Sequence, residues 1–512
     1  MILNLLLIIP IIGSVFISLI PVQKESISLT NNLLLVKKIA LITSLLNFIV
    51  SIYLWLEFDS SINSYQFVYH FDSLSFCHFN IGIDGISLYF VLLTTFLTPI
   101  ALFSNFETIN KNIKYFLISF LLLETLQIAV FVVLDLFLFY IFFESILPVL
   151  FLIILIFGTG EERIRSSFLF FLYTLAGSLF MLLAILQIYN YVGSTDFQLL
   201  SLSEISLESQ LVLWLAFFLA LAVKTPLIPV HMWLPRAHTS APLGGSILLA
   251  GTVLKFATYG MLRLLIHLFP DASNYFNPLI QVIAIVTLIY ASLATILQQD
   301  TKTLIAYSSI CHMAVVVLGI FSNNFLGIVG AILLGLAHGF ISPALFLCVG
   351  GILYDRYHTR EISYYRGIVH IMPLFTIMFL ILILANTGLP LTLNFLGEQL
   401  SLMGMWERNS IITLLGSSGI VLSACYSIWL YNRISYGSYS PHLLIIPKDI
   451  NRKEFNLIMA LLIPTVLLGI FPDVILETLN VSVTTLLYNP FSLIYFNIDN
   501  NSNISKIIKQ IK

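Results

Sequence analysis

Long apolar runs are the feature of this sequence that most restricts its fold. Fourteen stretches are long enough to cross a bilayer, since a spanning helix needs about 20 apolar residues. They lie at residues 2–20, 39–56, 85–104, 114–133, 136–157, 167–192, 209–230, 241–267, 276–297, 303–321, 325–350, 370–400, 410–431 and 455–472. Only 9% of the 512 residues are charged, against about 25% in soluble domains. The sequence therefore predicts an all-α polytopic membrane protein, which excludes a soluble enzyme, a nucleic-acid binder and a secreted scaffold.

The basic residues alternate between the loops that join these spans. Sixteen lie in odd-numbered loops, and two, Arg263 and Arg408, lie in even-numbered loops. Because basic residues concentrate on the inner side of a membrane, this alternation predicts fourteen spans with the N-terminus outside. Residues 475–496 are apolar but are interrupted by Asn480, Asn489 and Pro490. We expect this last segment to lie at the membrane interface instead of forming a fifteenth span.

Several ionisable side chains lie inside the predicted spans, where each one is costly and is usually functional. They are Lys224, Lys255, Glu124, Glu144, Glu398, His312 and His338, with Asp135 at a boundary. Glu144 and Lys224 are expected to form a close pair. A static pair that fixes helix packing is one interpretation, but buried pairs stabilise weakly. The set contains no metal-ligand cluster and no nucleophile beside a base. It therefore favours a proton relay, in which a lysine releases its proton when its carboxylate partner moves away.

Two predicted spans are interrupted close to an ionisable residue. Span seven has Lys224 directly before Pro226 and Pro229, and span twelve has Gly388 and Pro390 before Glu398. Proline breaks a helix, which a membrane tolerates only where the freed backbone faces protein or water. Ordinary proline kinks are the alternative. Because the two spans lie five apart, a repeated five-helix unit would be inverted, as in transporters whose site lies at broken helices.

Four strings resemble the antiporter-like membrane subunits of respiratory complex I. They are LDLFLFYIFFESILP, KTPLIPVHMWLPRAHTSAPLGGSILLAGTVLKFATYGMLR, QQDTKTLIAYSSICHM and GLPLTLNFLGE. The resemblance extends over residues 84 to about 400, and the four strings, which lie between residues 134 and 398, occur in the expected order and are highly specific. The resemblance implies fourteen helices with broken helices 7 and 12. It also implies two inverted five-helix repeats, at 114–267 and 276–433, between an N-terminal segment 1–113 and a C-terminal segment 434–512.

The resemblance also implies roles for the buried ionisable residues. Glu144 matches the family's carboxylate, and Lys224 matches the lysine of the first broken helix. Lys255 matches the lysine that leads to a central water-filled axis. His312 and His338 match the histidines of that axis.

The remaining matches concern one end of the relay and a set of secondary candidates. Glu398 matches the last proton-carrying group of the relay in this family. That group is often lysine in sister subunits, so a glutamate here favours one particular subunit of the complex. His231 and His238 fall in the string HxWLPxAH and are secondary candidates, as are Glu124 and Asp135. Ser240 stands where many relatives have Glu or Gln, so we do not expect it to carry a proton.

Membership of such a complex would place the redox chemistry elsewhere. The resemblance implies that this chain moves protons while other subunits, with NADH, FMN, iron–sulfur clusters and ubiquinone, reduce the quinone. The four cysteines lack ligand spacing, and no cofactor or metal site is expected in this chain. The implied partners are other membrane-arm subunits, especially the neighbouring antiporter-like subunits 2 and 5, with lipid, water and protons but no nucleic acid.

Other members of the wider family remain open as alternatives. They are a plastid or bacterial subunit of an NDH-type complex and a subunit of a multi-subunit cation/proton antiporter of the Mrp type. A purely structural membrane protein is a further alternative. The chain contains 41 Phe and 23 Tyr together with abundant Ile and Asn, which indicates an AT-rich organellar genome. We therefore expect an organelle-encoded protein of the mitochondrial inner membrane.

Overall fold

Helices make up most of this computed structural model, which describes residues 2–21, 28–70, 79–109, 111–203, 205–440, 442 and 447–487. The α-helices, α1 to α20 in chain order, are Ile2–Leu19, Ser28–Leu56, Gly85–Ser104, Ile113–Val132, Leu136–Phe157, Arg163–Val192, Phe197–Leu202, Leu207–Lys224, Trp233–Ser240, Leu243–Leu248, Leu254–Gly260, Pro270–Ile296, Thr301–Ile320, Phe325–Phe346, Tyr354–Tyr357, Pro373–Asn386, Leu393–Arg408, Ser410–Ser435, Arg452–Ile470 and Asp473–Leu487. Three π-helical segments continue α10, α11 and α14, at Leu249–Val253, Met261–Ile266 and Leu347–Leu353. Short 3₁₀ turns lie at Ile362–Tyr364 and Ile368–His370.

The predicted spans correspond closely to these helices. Within the described residues, 13 helices are long and apolar enough to cross a membrane. The predicted twelfth span is not among them because it consists of two shorter helices, α16 and α17. Counted as one interrupted span, this pair brings the total to the predicted fourteen. The all-α polytopic fold class is confirmed.

Two features differ from the prediction, the start of the second helix and an added hairpin. Helix α2 begins at Ser28 instead of 39, and the ammonium of Lys37 within it donates to the Phe106 carbonyl. A small antiparallel hairpin, β1 (Gln66–Tyr69) and β2 (Ile81–Ile83), joins α2 to α3 and was not predicted. Helix α20 has 15 residues, fewer than the roughly 20 needed to span. The rest of the predicted interfacial segment, 488–496, lies outside the described residues.

The contacts between loops show that the loops lie on two faces of the helical bundle. Odd-numbered loops contact odd-numbered loops through Lys114–Ile20, Lys302–Ala241 and Arg356–Glu454. Even-numbered loops contact even-numbered loops through Asn80–Asp196 and Asn324–Glu407. The predicted alternation of the loops is confirmed by these pairs. That the basic face is the inner one stays a prediction from the positive-inside rule.

The centre of the bundle is formed by two spans that are buried all round. The most apolar segments of Leu243–Ile266 and Phe325–Tyr357 are wholly buried. In Ile2–Leu19, only a third of the corresponding segment is buried. A helix covered on every side can hold a polar side chain away from lipid. These two central spans carry Lys255 and His338.

Both predicted interruptions are present, and other groups satisfy the freed backbone. Helix α8 ends at Lys224, and the Trp233 indole donates a hydrogen bond of 2.8 Å to the Val223 carbonyl. In the loop that follows, the Ile228 amide donates to Thr287 Oγ1 at 3.1 Å. Between α16 and α17, the Asn394 amide group donates to the Asn386 carbonyl at 3.5 Å. Protein groups therefore satisfy part of the freed backbone at both breaks, as a membrane requires.

Candidate functional site

Four of the predicted residues form one continuous chain in the centre of the bundle. Lys255 Nζ lies 2.8 Å from His338 Nδ1, and the rings of His338 and His312 are 5.8 Å apart between centroids. His312 Nδ1 lies 3.1 Å from Glu398 Oε1. Each side chain comes from a different helix, in turn α11, α14, α13 and α17. None of the four is more than 5% exposed, so the chain runs through a region away from lipid and bulk water.

The first member, Lys255, is held by a local irregularity of its own helix. The π-helical segment Leu249–Val253 lies directly before α11, and the Ala250 carbonyl accepts a hydrogen bond of 2.5 Å from Lys255 Nζ. A π-helical turn shifts the backbone hydrogen-bond pattern and recurs at functional sites. The ammonium group is therefore fixed by one carbonyl and one imidazole. His338 keeps its second ring nitrogen, Nε2, without a hydrogen-bond partner among the described residues.

His312 is held between two oxygen atoms. Its Nδ1 faces Glu398, and its Nε2 lies 3.1 Å from Asn386 Oδ1. Asn386 also donates to Ser427 Oγ at 3.4 Å, which orients its amide. Sequence reasoning missed Asn386, although it is the last residue of α16, directly before the predicted break. With an acceptor at each nitrogen, the ring is oriented so that its Nδ1 points at the carboxyl group.

Glu398 ends the chain beside an open cavity. The cavity has a volume of about 390 Å³ and is lined by Gly388, Glu398, Trp406 and other residues of α17 and α18. Gly388 has φ +76°, and a Cβ at this glycine would lie only 2.8 Å from Glu398 Oε2. The break before α17 thus leaves room for the carboxylate. Glu398 is the member of the chain that lines this cavity.

Glu144 and Lys224 form no direct ion pair, although the charge of each residue acts on the other. None of the ion pairs in the described part of the chain joins these two residues, and neither Lys224 Nζ nor Glu144 Oε1 has a hydrogen-bond partner there. The ammonium group lies instead 4.4 Å from the ring centroid of Phe143, a cation–π contact. Lys224 is also the last residue of α8, where the helix dipole favours a cation.

The two secondary histidines are both buried, but only one lies near the chain. His238 is fully buried, stacks on Phe346 at 4.6 Å and has no hydrogen-bond partner at either ring nitrogen among the described residues. The charges of Lys255 and Lys302 act on it. His231 packs against the rings of Tyr290 and Tyr307, at 5.7 and 6.3 Å.

The acidic secondary candidates are not part of the chain. Glu124 Oε1 accepts a hydrogen bond of 2.7 Å from Asn47, between α4 and α2. Asp135 is the N-cap of α5, where its carboxylate accepts from the amides of Phe137 and Leu138 at 2.9 and 3.0 Å. It also accepts from Thr195 Oγ1 at 2.7 Å. These contacts are those of a helix cap.

Ser240, where relatives often have an acid or an amide, makes contacts of a structural kind. Its hydroxyl donates to the Arg236 carbonyl at 2.6 Å and meets the Ser166 hydroxyl.

Two basic residues that were counted with the loops are in fact buried. Arg263 is 7% exposed and Lys302 is 4% exposed. Arg263 lies within the π-helical segment Met261–Ile266, forms an ion pair with Asp84 and donates to Tyr65 Oη at 2.9 Å. Lys302 lies in the first turn of α13. A count of charges along the sequence could not find them, because both lie at helix ends that other elements cover.

The cysteines show no site. Cys311 and Cys348 are buried free thiols and Cys425 is an exposed one, while Cys77 lies outside the described residues. In the part of the chain that the structure describes, no group of three or more His, Cys, Asp and Glu side chains is placed to hold a metal ion.

A helical bundle with two broken helices and a buried chain of lysine, histidine and glutamate defines an antiporter-like, proton-translocating membrane subunit. The family model described as NADH:quinone oxidoreductase/Mrp antiporter, TM, matches residues 133–423. NADH-ubiquinone oxidoreductase chain 4 of Mycosarcoma maydis is 58% identical over 487 residues, covering 95% of this chain and 99% of that protein. The chain therefore belongs to the NADH-ubiquinone oxidoreductase chain 4 family.

Solved structures agree with this assignment. A chain of respiratory complex I from Thermus thermophilus with bound NADH has a TM-score of 0.83 and 28% identity, covering 95% of this chain and 100% of that chain. A chain of the Mrp complex from Dietzia sp. DQ12-45-1b has a TM-score of 0.82 but 17% identity, covering 94% of this chain and 97% of that chain. The second likeness shows the shared fold alone. The protein is a multi-pass, proton-translocating membrane subunit of complex I, an oxidoreductase.

Proposed function

We propose that Lys255, His338, His312 and Glu398, here called the central relay, carry the protons that this subunit translocates. The observation that supports this most is their continuity, since Lys255–His338 and His312–Glu398 lie within hydrogen-bond distance. Titratable groups inside a membrane are costly and are retained mainly for function. Here four such groups from four different helices lie in series. A role in helix packing alone does not account for this arrangement.

The geometry suggests how a proton moves along the central relay. Lys255 Nζ donates to His338 Nδ1, and the imidazole releases the proton of its other nitrogen, Nε2, which has no competing partner among the described residues. The two ring centroids are 5.8 Å apart, and a water molecule between the rings would carry the proton from one to the other. His312 takes this proton at Nε2, which turns away from Asn386 Oδ1 for the transfer, and its Nδ1 gives up a proton to Glu398 Oε1. The carboxylic acid releases it through the cavity beside Gly388.

Glu144 and Lys224 are proposed as the switch that loads the central relay. A unit charge at about 4 Å in an effective dielectric of about 20 contributes about 4 kcal/mol. The approach or departure of the Glu144 carboxylate therefore changes the proton affinity of Lys224 by nearly a thousandfold. In the open arrangement, with the ammonium over Phe143, Lys224 is ready to give its proton through water to Lys255. A conformational or charge change in the neighbouring subunit drives Glu144 between the two positions.

Two inverted repeats, 114–267 and 276–433, are proposed as the units that hold this machinery. A repeated feature supports them. Asp135 caps α5 and forms an isolated bridge with Asp196, and Asp300 caps α13 and forms one with Glu361. The first bridge joins even-numbered loops and the second joins odd-numbered loops, so the same motif occurs on opposite faces.

The setting is also proposed from the family. We place the chain in the mitochondrial inner membrane, beside the antiporter-like subunits 2 and 5. Glu144 and Glu398 are then the groups through which charge is coupled to those neighbours. NADH, FMN, iron–sulfur clusters and ubiquinone act in other parts of the complex.

The central relay is tested by replacing Lys255 with Met in the assembled complex. Pumped protons per NADH oxidised are measured in proteoliposomes, with Lys38→Met, an exposed lysine of α2, as the matched control. We expect the Lys255 variant to pump fewer protons per NADH while the complex assembles, and the control to pump normally. A normal proton-to-electron ratio in Lys255→Met would refute the relay.

A further inference from the structure

An apolar cavity lies at the side of the bundle, between the helices α2, α3, α14, α19 and α20. Its volume is about 330 Å³, and all fifteen side chains that line it are apolar or aromatic. The buried Leu93 and Leu336 form its inner wall, and the exposed Ile463 and Leu467 form its edge. Because exposed apolar side chains of a spanning helix face the acyl chains of the bilayer, the cavity opens toward lipid. We call it the lateral cavity; it shares no lining residue with the cavity beside Glu398.

The lateral cavity begins at the face that carries the even-numbered loops. Trp55 lies one residue before the end of α2, and Tyr89 lies in the second turn of α3. Phe48 and Phe96, which are seven residues deeper on the same two helices, line its inner end. Since an α-helix rises about 1.5 Å per residue, the cavity extends about 10 Å into a hydrocarbon core of about 30 Å. This is the depth of the acyl chains of one leaflet.

The wall of the cavity is fixed by the hydrogen bonds of one tyrosine. Tyr89 Oη donates to the Val474 carbonyl at 2.8 Å and accepts from Thr478 Oγ1 at 2.7 Å. These bonds fasten α20 to α3, and they satisfy the hydroxyl, so the aromatic ring is the part of Tyr89 that a ligand meets. A polar ligand would lose its hydrogen bonds with water on entering such a cavity. The lining therefore favours a hydrocarbon chain.

The cavity also reaches the helix that carries one member of the central relay. Leu336 and Phe340 line it from α14. They are four residues apart and so lie on one face of this helix, whereas His338, between them, is turned to another face. Phe340 also packs edge to face against Phe96, with the ring centroids 5.6 Å apart. A chain in the lateral cavity would thus support α14 from behind.

The charge around the opening is negative. Glu57 follows α2 directly, and Glu477 lies in the second turn of α20. Both are exposed, and the charge of Glu477 acts on Tyr89. Residues 57–84 and 471–487, which form the chain around this opening, contain no lysine or arginine. Because carboxylates accept hydrogen bonds from an ammonium group, the opening is complementary to a headgroup with a cation and not to one with phosphates alone.

We propose that the lateral cavity binds an acyl chain of phosphatidylethanolamine, whose ammonium group is attracted by the carboxylates of Glu57 and Glu477. Burial of the chain does not select a lipid, because the bilayer is as apolar as the cavity. The selection therefore comes from the headgroup. The primary ammonium of ethanolamine donates hydrogen bonds to carboxylates, which the trimethylammonium of choline does not. Cardiolipin carries two phosphates and no cation, so the acidic opening repels it. This inference goes beyond the proposed function and does not depend on the central relay.

The experiment uses phosphatidylethanolamine with a photoreactive diazirine at the end of one acyl chain, added to the assembled complex in phosphatidylcholine vesicles. After illumination, the labelled residues are identified by mass spectrometry of peptides. Leu467→Trp narrows the cavity, and Leu183→Trp, at an exposed position of α6, is its matched control. Glu57→Gln combined with Glu477→Gln removes the negative charge at the opening. Glu208→Gln, at an exposed position of another even-numbered loop, is the control for this pair.

We expect label on α3 and α14 at residues that line the cavity. Leu467→Trp should reduce it about tenfold or more, as overpacking of a filled site does, while both controls are labelled normally. Unlabelled phosphatidylethanolamine should compete with the probe, and cardiolipin at the same concentration should not. In the double glutamine variant, phosphatidylethanolamine should compete no better than phosphatidylcholine.

Three results would overturn the proposal. Absence of label at the lining residues would show that another part of the complex fills the cavity. Label that Leu467→Trp does not reduce would come from lipid outside the cavity. Equal competition by cardiolipin, or an unchanged preference in the double glutamine variant, would show that the carboxylates do not select the headgroup. Since proton pumping is not the quantity measured, the central relay can fail without affecting this test.

Discussion

Gly388→Ala is the substitution whose effect follows most directly from the geometry. The new Cβ would lie 2.8 Å from Glu398 Oε2, about 0.6 Å closer than ordinary contact allows. The carboxylate must therefore move, and the hydrogen bond of 3.1 Å from His312 to Oε1 moves with it. The φ of +76° adds backbone strain of about 1–2 kcal/mol for any residue with a Cβ.

The expected loss can be stated as a rate. A hydrogen bond to a charged group contributes about 1.5–3 kcal/mol, so losing it from the transfer step corresponds to about a 10- to 100-fold slower transfer from His312 to Glu398. The assay is proton pumping by the purified complex in proteoliposomes, together with the rate of ubiquinone reduction. Gly335→Ala is the matched control, since a Cβ there meets no atom within 4 Å. Pumping at the normal rate in Gly388→Ala would refute the role of Glu398 as the acceptor of the His312 proton.

Three further predictions concern residues outside the central relay. Asp84→Ala leaves the Arg263 guanidinium buried without its carboxylate, so we expect the stability of the protein to fall by about 3–5 kcal/mol. The measurement is the temperature of thermal inactivation, which should be lower in the variant. An unchanged temperature would show that the pair is dispensable. Replacing Lys224 or Glu144 by Ala should abolish pumping by this subunit while the complex assembles, and a normal stoichiometry in either variant would contradict the switch. The Glu124→Gln variant should pump normally, because the Glu124 carboxyl is hydrogen-bonded to Asn47 and is not connected to the central relay. A lower number of protons pumped per NADH in this variant would place Glu124 on the proton path.

Most of the fold could be predicted because lipid imposes simple rules on a sequence. Apolar runs of spanning length indicate the helices, and the alternation of basic loops determines their number. The breaks at Pro226 and Gly388 could also be predicted, since proline and glycine act locally. The hairpin β1–β2 could not, because strands of four and three residues carry little pattern.

The residues of the site could be predicted from the sequence, but the contacts between them could not. Residue type and depth single out Lys255, His338, His312 and Glu398, whereas their order in space depends on how four separate helices pack. The same limit applies to the distance between Lys224 and Glu144. The two charges act on each other, but the group directly beside the ammonium is the Phe143 ring. Lys302 was counted with a loop because burial by neighbouring loops leaves no trace in the local sequence.

His338→Gln tests the central claim most directly. The glutamine can still accept a hydrogen bond from Lys255, but an amide does not take up and release protons as an imidazole does. The measurement is the number of protons pumped per NADH oxidised by the reconstituted complex, with the exposed His370→Gln as the control. We predict a lower ratio in His338→Gln and a normal one in the control. An unchanged ratio in His338→Gln would contradict proton transfer through the chain from Lys255 to Glu398.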